Sequence, residues 1–238
     1  ATRWPYSTLC RADGADGTMT AEHIFINAGT RPVIPKIPGL SSIDYLTSGT
    51  ILDLMVVPSH LVIIGGSYIA LEFGQLYRRL GSEVTIFEHN ERFLAREDED
   101  IASAIKKILE DDGIRILTGV TIGKITREAG AASQGAAAAI SLELDLSSPV
   151  ALARDSETAA VISTRQTITG SHVLLAAGRL PDMASLNPAA SGIAVDDHGF
   201  IKVNDRLETN IPGIYALGDV KGGPQFTHVS YNDHLIVY

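Results

Sequence analysis

Residues 60–72, HLVIIGGSYIALE, constrain the fold of this chain more than any other segment. His60 to Ile64 form a short, near-continuous apolar run, the pattern of a strand covered on both faces of a parallel sheet. Two glycines break the run. Ile69, Phe73, Leu76 and Leu80 then recur at helical spacing, and Gly81 stands where a helix C-cap belongs. Glu83 to Phe87 read as a second strand. Asp98, Glu99 and Asp100 open a second helix, where acidic side chains favour the N-terminal end of the dipole. Ile101, Ile105, Ile108 and Leu109 are its expected buried stripe, Gly113 closes it, and residues 114–117 form a third strand. The order is βαβαβ, which implies right-handed crossovers and a Rossmann-type parallel sheet with helices on both faces.

The turn between the first strand and helix carries the first chemistry. A dinucleotide-binding turn wants glycine where the chain bends sharply, a small residue where a pyrophosphate approaches the backbone, and Gly or Ala where helix meets strand. These positions are Gly65, Ser67 and Ala70, with Gly66 between them and Tyr68 and Ile69 beginning the helix. Ser67 replaces the usual glycine, and its hydroxymethyl group either crowds a phosphate or hydrogen-bonds to it. Exposed N–H groups at the helix start are what hold the phosphates. Glu88 follows the second strand, 23 residues after Gly65. An acid about 20 residues on accepts ribose hydroxyls and repels a 2′-phosphate. The ligand is therefore expected to be NAD(H) rather than NADP(H), although Arg92 and Arg96 nearby keep the phosphorylated cofactor open.

Composition narrows the class. With 45% apolar residues, the 238-residue chain can bury a sizeable core. A formal charge of −9 argues against nucleic acid or an acidic membrane surface as partner. No run of 18 apolar residues suggests a membrane span, and the opening ATRWPYSTLC has no apolar signal core, so a cytoplasmic location is expected. Cys10 is the single cysteine, too few for an internal disulfide or a structural zinc site, and no metal site is expected.

Elsewhere, Asp13-Gly14 and Asp16-Gly17 mark a hairpin turn, and Ile24-Phe25-Ile26 an apolar strand. Pro32, Pro35 and Pro38 make a connector. Residues 120–126, 140–146 and 160–164 read as an antiparallel meander, with exposed loops at 129–139 and 147–158. Residues 172–176 are again a fully apolar strand, 214–216 another, and 226–238 begin a helix.

Four segments then line up in order: Ala28-Gly29-Thr30-Arg31-Pro32, GGSYIALE at 65–72, AAGRLPD at 176–182 and IYALGDV at 214–220. Together they resemble the FAD-dependent pyridine nucleotide-disulfide oxidoreductases, a family that includes dihydrolipoamide dehydrogenase, glutathione reductase and mercuric reductase. The resemblance covers roughly residues 18–238. It implies partial FAD-domain segments at 1–45, which includes the connector, and at 179–238, flanking an NAD(P)-binding domain at 46–178. It implies that Asp219 holds a ribityl hydroxyl of FAD, with Gly218 and Gly29 allowing close approach, and that Gly178 approaches the nicotinamide half. It implies that Tyr68 covers the flavin face until nicotinamide arrives, and that Glu72 pairs with a lysine near the flavin. His228 falls in a segment that passes the flavin edge. The family's upstream flavin fingerprint, redox cysteine pair and C-terminal dimerisation domain with its catalytic His and Glu have no match in these residues. The chain is thus expected to be the centre of a longer homodimeric enzyme, with no catalytic residue of its own and inactive alone. Hydride would pass from NADH or NADPH to FAD and then to a disulfide, metal ion or other small acceptor. A non-catalytic dinucleotide-binding module or subunit is the alternative.

Overall fold

The computed structural model describes residues 7–10, 16–19, 21–128, 139–146, 165–183, 186 and 191–238. The chain divides into two units, residues 32–178 and residues 1–31 with 179–238.

In the unit formed by residues 1–31 and 179–238, β1 (Ser7–Cys10) and β2 (Asp16–Met19) pair as an antiparallel hairpin. Asp16 and Gly17 lie inside β2, not in the turn, because the register pairs them with Cys10 and Leu9. β3 (Ile24–Ile26) runs parallel to Ile214–Ala216, later named β13, with Ile24 opposite Ile214. β4 (Thr30–Pro32) closes this first stretch. The core collects Ile193, Ile201, Ile214, Ala216 and Val220 against Ile24 and Ile26.

Residues 32–178 hold β5 (His60–Ile64), α1 (Tyr68–Arg79), β6 (Glu83–Phe87), α2 (Glu99–Asp111) and β7 (Arg115–Leu117). β8 (Val120–Arg127), β9 (Ile140–Leu146), β10 (Arg165–Gly170) and β11 (His172–Leu175) follow. The parallel sheet has the order β11-β5-β6-β7, as expected for the βαβαβ unit. β8, β9 and β10 make the antiparallel meander, in the order β10-β9-β8. The remaining strands are β12 (Arg179–Pro181) and β13, in the other unit, which ends in a helix at Thr227–Val237.

The two faces of the parallel sheet are covered differently. Leu61 and Ile63, Val84 and Ile86, Ile114 and Ile116, and Leu174 share a core with Ala70 and Tyr77 of α1 and Ala102 and Leu109 of α2. Val62 and Ile64, Phe87, Leu117, Val173 and Leu175 share the other core with Ile125, Leu142, Leu144 and Ile168 of the meander. Alternate residues of one strand thus feed opposite cores, as a period of two requires. The mixed α/β class stands, but the expectation of helices on both faces gives way. Among the described residues, α1 and α2 share one face and the antiparallel sheet supplies the other cover.

The helix stripes also differ from the expected ones. α1 buries Ala70, Gly74 and Tyr77, while Leu76 and Leu80 are exposed. The reason is proximity. A Cβ on Gly74 would stand 3.3 Å from Ile86 Cδ1 and 3.4 Å from Ile63 Cδ1, so the helix lies on the sheet through its small residues. Tyr77 is buried full length and donates its hydroxyl to the Ile51 carbonyl at 3.0 Å. On α2, Ala102 and Leu109 are buried and Ile101 and Ile108 exposed.

The third meander strand is Arg165–Gly170. The expected strand at 160–164 and the expected loops, except for residue 139, lie outside the described residues. Within β10 only Ile168 and Gly170 are buried, with Gln166 partly buried on the same face, so its sequence carries almost no apolar signal. Gly170 lies on the parallel sheet, where a Cβ would come within 2.6 Å of Val62 Cγ2.

Candidate functional site

The parallel sheet sets the position of the glycine turn. Ile64 and Phe87 are register partners, so the residues that follow them, Gly65 and Glu88, emerge side by side at the carboxyl edge. Ligands of open α/β sheets bind at that edge. Gly65 N–H donates to the Phe87 carbonyl at 2.8 Å, and Ala176 N–H to the Ile64 carbonyl at 2.7 Å. Gly65 has φ +108°, and a Cβ there would lie 2.2 Å from the Ala176 carbonyl oxygen. Only glycine fits, because the end of β11 passes against the turn.

Gly66 is buried and donates its N–H to Glu88 Oε2 at 2.8 Å. A Cβ on Gly66 would meet Glu88 Oε2 at 2.8 Å and Phe93 at 3.2 Å. The N–H groups of Gly65 and Gly66 are therefore spent on the protein. Ser67 caps α1, and the first intrahelical bond is Leu71 N–H to the Ser67 carbonyl. The N–H groups of Ile69 and Ala70 lie in the first turn, ahead of that bond, where a helix leaves its donors to outside partners. The Ser67 side chain makes no capping bond and is exposed, and no acidic residue occupies the first turn. This helix start suits an anion, through its amides and its dipole.

Glu88 is half-buried. Its Oε2 takes the Gly66 N–H, and its Oε1 takes the Asn90 N–H at 2.8 Å and Asn90 Nδ2 at 2.6 Å. A carboxylate offers about four acceptor positions, so one remains here, on Oε2.

Tyr68 is 41% exposed. Its hydroxyl donates to Glu97 Oε1, and that bond, then burial, raises its pKa above the ordinary phenol value. Arg92 donates to the Glu97 carbonyl, so the loop after β6 is closed on itself. Ile69 is partly buried against the helix-side core. Glu72 is exposed and lines a groove of about 250 Å³ with Leu71, Gln75, Ile105, Ile108 and Leu109. Gly178 is exposed, and a Cβ on it would meet only Val33 Cγ2, at 3.8 Å.

The other unit contains the Gly218-Asp219 turn. Thr30 Oγ1 donates to Asp219 Oδ2 at 3.1 Å and accepts from Arg179 Nε at 2.7 Å. Asp219 Oδ1 takes no hydrogen bond among the described residues, which suits a hydroxyl-bearing ligand such as a ribityl chain. Gly29 would have nothing within 4 Å of a Cβ. Gly218 differs: it is buried, and a Cβ would lie 2.8 Å from Ser230 Oγ and 3.0 Å from Asn27 Oδ1. Packing within the protein already demands glycine there. Gly218 N–H donates to Asp233 Oδ2 at 2.8 Å, and Lys221 Nζ lies 3.3 Å from the same oxygen. His228 is exposed and stacks on Phe226 with centroids 5.4 Å apart.

Asn90, Glu97, Lys221 and Asp233 were not among the candidates from sequence. Asp233 stands between Asn232 and His234, so its sequence context carries no signal of burial.

The family described as pyridine nucleotide-disulphide oxidoreductase matches residues 5–233. The chain belongs to that family. Its members are oxidoreductases whose cofactors are FAD and a nicotinamide dinucleotide. The chain is 36% identical over 212 residues to the mercuric reductase of Bacillus cereus, covering 89% of this chain and 30% of that enzyme. It is 37% identical over 217 residues to the probable pyridine nucleotide-disulfide oxidoreductase RclA of Escherichia coli K12, covering 91% of this chain and 43% of that protein. A solved structure, the Cu(II) complex of the HOCl-induced flavoprotein disulfide reductase RclA, matches with a TM-score of 0.79 at 35% identity. It covers 98% of this chain and 46% of RclA. The chain spans less than half the length of these relatives. Among its described residues, no helix is long and apolar enough to cross a membrane.

Proposed function

We propose that this pyridine nucleotide-disulphide oxidoreductase chain is the nicotinamide-dinucleotide-binding core of a flavin-dependent enzyme. That enzyme takes hydride from NADH, or NADPH, and delivers electrons to a disulfide, metal ion or other small acceptor. Bound FAD supplies the electron relay between the two. Residues 46–178 bind the nicotinamide dinucleotide, residues 1–45 and 179–238 contribute to the flavin domain, and the complete protein is a homodimer.

One observation supports the reading above the others: the Gly66–Glu88 hydrogen bond of 2.8 Å ties a phosphate-binding turn to a ribose-binding acid. In this reading the pyrophosphate meets the amide of Ile69 and the Ser67 hydroxyl at the helix start, with Gly65 and Gly66 shaping the turn. Glu88 Oε2 accepts an adenosine ribose hydroxyl. Gly178 leaves room for the nicotinamide half, and the Tyr68 ring covers its pocket until it arrives, beside Glu72. Asp219 takes a ribityl hydroxyl, and Gly29 and Gly218 shape that site. The names of the relatives, mercuric reductase and flavoprotein disulfide reductase, support a small acceptor of the kinds stated.

Parallel titrations of the chain with NADH and NADPH, followed by nucleotide fluorescence, test the reading. NADH binds more tightly, and Glu88→Ala narrows the gap by about 1–2 kcal/mol, the scale of a hydrogen bond to a charged group. An unchanged preference in that variant would remove Glu88 from the site.

A further inference from the structure

We propose that Asn90 sets nucleotide choice at this site by positioning Glu88. The inference rests on the dinucleotide reading above and adds a residue to it. Asn90 supplies two of the three hydrogen bonds on the Glu88 carboxylate, both to Oε1, at 2.8 Å from its N–H and 2.6 Å from Nδ2. The third comes from Gly66 N–H, to Oε2.

The main chain around this pair is clamped. Glu88 N–H donates to the Leu117 carbonyl at 2.8 Å, Val120 N–H to the Glu88 carbonyl at 3.0 Å, and Gly119 N–H to the Asn90 carbonyl at 2.9 Å. Asn90 therefore projects from a fixed backbone position, and its short side chain reaches back two residues to saturate Oε1. The carboxylate plane is pinned from both ends, and the acceptor left for the ligand is Oε2 alone. Such a site reads one ribose hydroxyl. It also keeps the negative charge where a 2′-phosphate would have to stand, because the carboxylate has no spare rotation with which to withdraw. Without Nδ2, Oε1 keeps a single backbone donor and the carboxylate is held less firmly, by the Asn90 and Gly66 N–H groups alone. The hydroxyl then loses its oriented acceptor, and the 2′-phosphate loses part of its repulsion. Asn90 is thus a positioning residue that acts through Glu88.

The test is a double-mutant cycle on the full chain, reading dissociation constants for NADH and NADPH separately. Asn90→Ala is expected to reduce the NADH-over-NADPH preference about threefold to tenfold, the range for one net hydrogen bond. Most of that change should come from weaker NADH binding. In the Glu88→Ala background, Asn90→Ala should have no further effect. Asn90→Leu keeps the volume and removes the donor, so it should repeat the Asn90→Ala result and guards against a folding defect in either variant. If Glu88→Ala narrows the preference and the Asn90 variants do not, or if they weaken both nucleotides equally, the inference is overturned and the dinucleotide reading survives. If the double variant loses more than Glu88→Ala alone, Asn90 touches the nucleotide directly and the positioning role is wrong. If Glu88→Ala itself leaves the preference unchanged, the reading of Glu88 falls and this inference falls with it.

Discussion

Two glycine turns in this molecule each donate a backbone N–H to a carboxylate at 2.8 Å, Gly66 to Glu88 and Gly218 to Asp233. The hydrogen bonds are equal in length, and the electrostatics are opposite. Asp233 is 3% exposed and has Lys221 Nζ 3.3 Å away, so its charge is neutralised inside the protein. Glu88 has amide donors only and keeps an acceptor position to offer. A carboxylate with a buried cation serves the fold, whereas one held by neutral donors still carries a charge that can discriminate between ligands.

The sharpest way to break that contrast is Asp233→Ala. It strands the Lys221 ammonium and the Gly218 N–H, and a loss of about 3–5 kcal/mol is expected in urea unfolding. A loss below about 1 kcal/mol would show that Lys221 reaches water and that the pair is not structural. Next in size is Gly65→Ala. Its Cβ would stand 2.2 Å from the Ala176 carbonyl oxygen at φ +108°, so about 3 kcal/mol of stability is expected to go, and nucleotide binding with it. Wild-type stability in that variant would mean that the end of β11 yields easily. Glu88→Ala is the counterpart of the aspartate variant. It strands the buried Gly66 N–H, so it should cost about 1–3 kcal/mol of stability while altering nucleotide preference, and a loss as large as that of Asp233→Ala would put it in the same class.

The smallest expected effect is acidic. Burial holds the His172 ring below its ordinary pKa of about 6.5. As pH falls through that value, the unfolded chain takes the proton before the folded one does. The contribution of neutral His172 is therefore complete above that pH and declines below it. Melting temperatures at pH 7.5 and 5.5 should differ less in His172→Gln than in the parent chain. An equal acid loss in both would assign the effect to other groups.

The strands and the glycine turn were legible because their signals are local. The run LVII announces a strand with two covered faces, and Gly65-Gly66 announces a turn that no larger residue can make. What covers each face was not legible, since a buried strand reads the same under a helix or under a second sheet. The α1 stripe was misread for a related reason: Ala70 and Gly74 bury by closeness, and periodicity weighs large apolar residues instead. β10 was missed because Ile168 is its one buried large apolar side chain. At the site, Gly65 and Glu88 could be placed by spacing, but Asn90 and Asp233 could not. Asn90 meets a neighbour two residues back, which periodicity does not weigh, and Asp233 meets Gly218 and Lys221 only once the last helix packs on that turn.

The strand order β11-β5-β6-β7 has a consequence for how the protein is made. Synthesis yields β5, β6 and β7 within residues 60–117, yet the strand that completes the other edge of β5 is not built until residues 172–175. Over the intervening stretch, the nascent chain holds its most apolar strand with one row of backbone donors and acceptors unpaired. Such an edge is a template for a neighbouring polypeptide, and closing it requires a contact about 110 residues distant in sequence, which is slow. The ribosome-bound intermediate, rather than the finished enzyme, is where this chain is most exposed to aggregation.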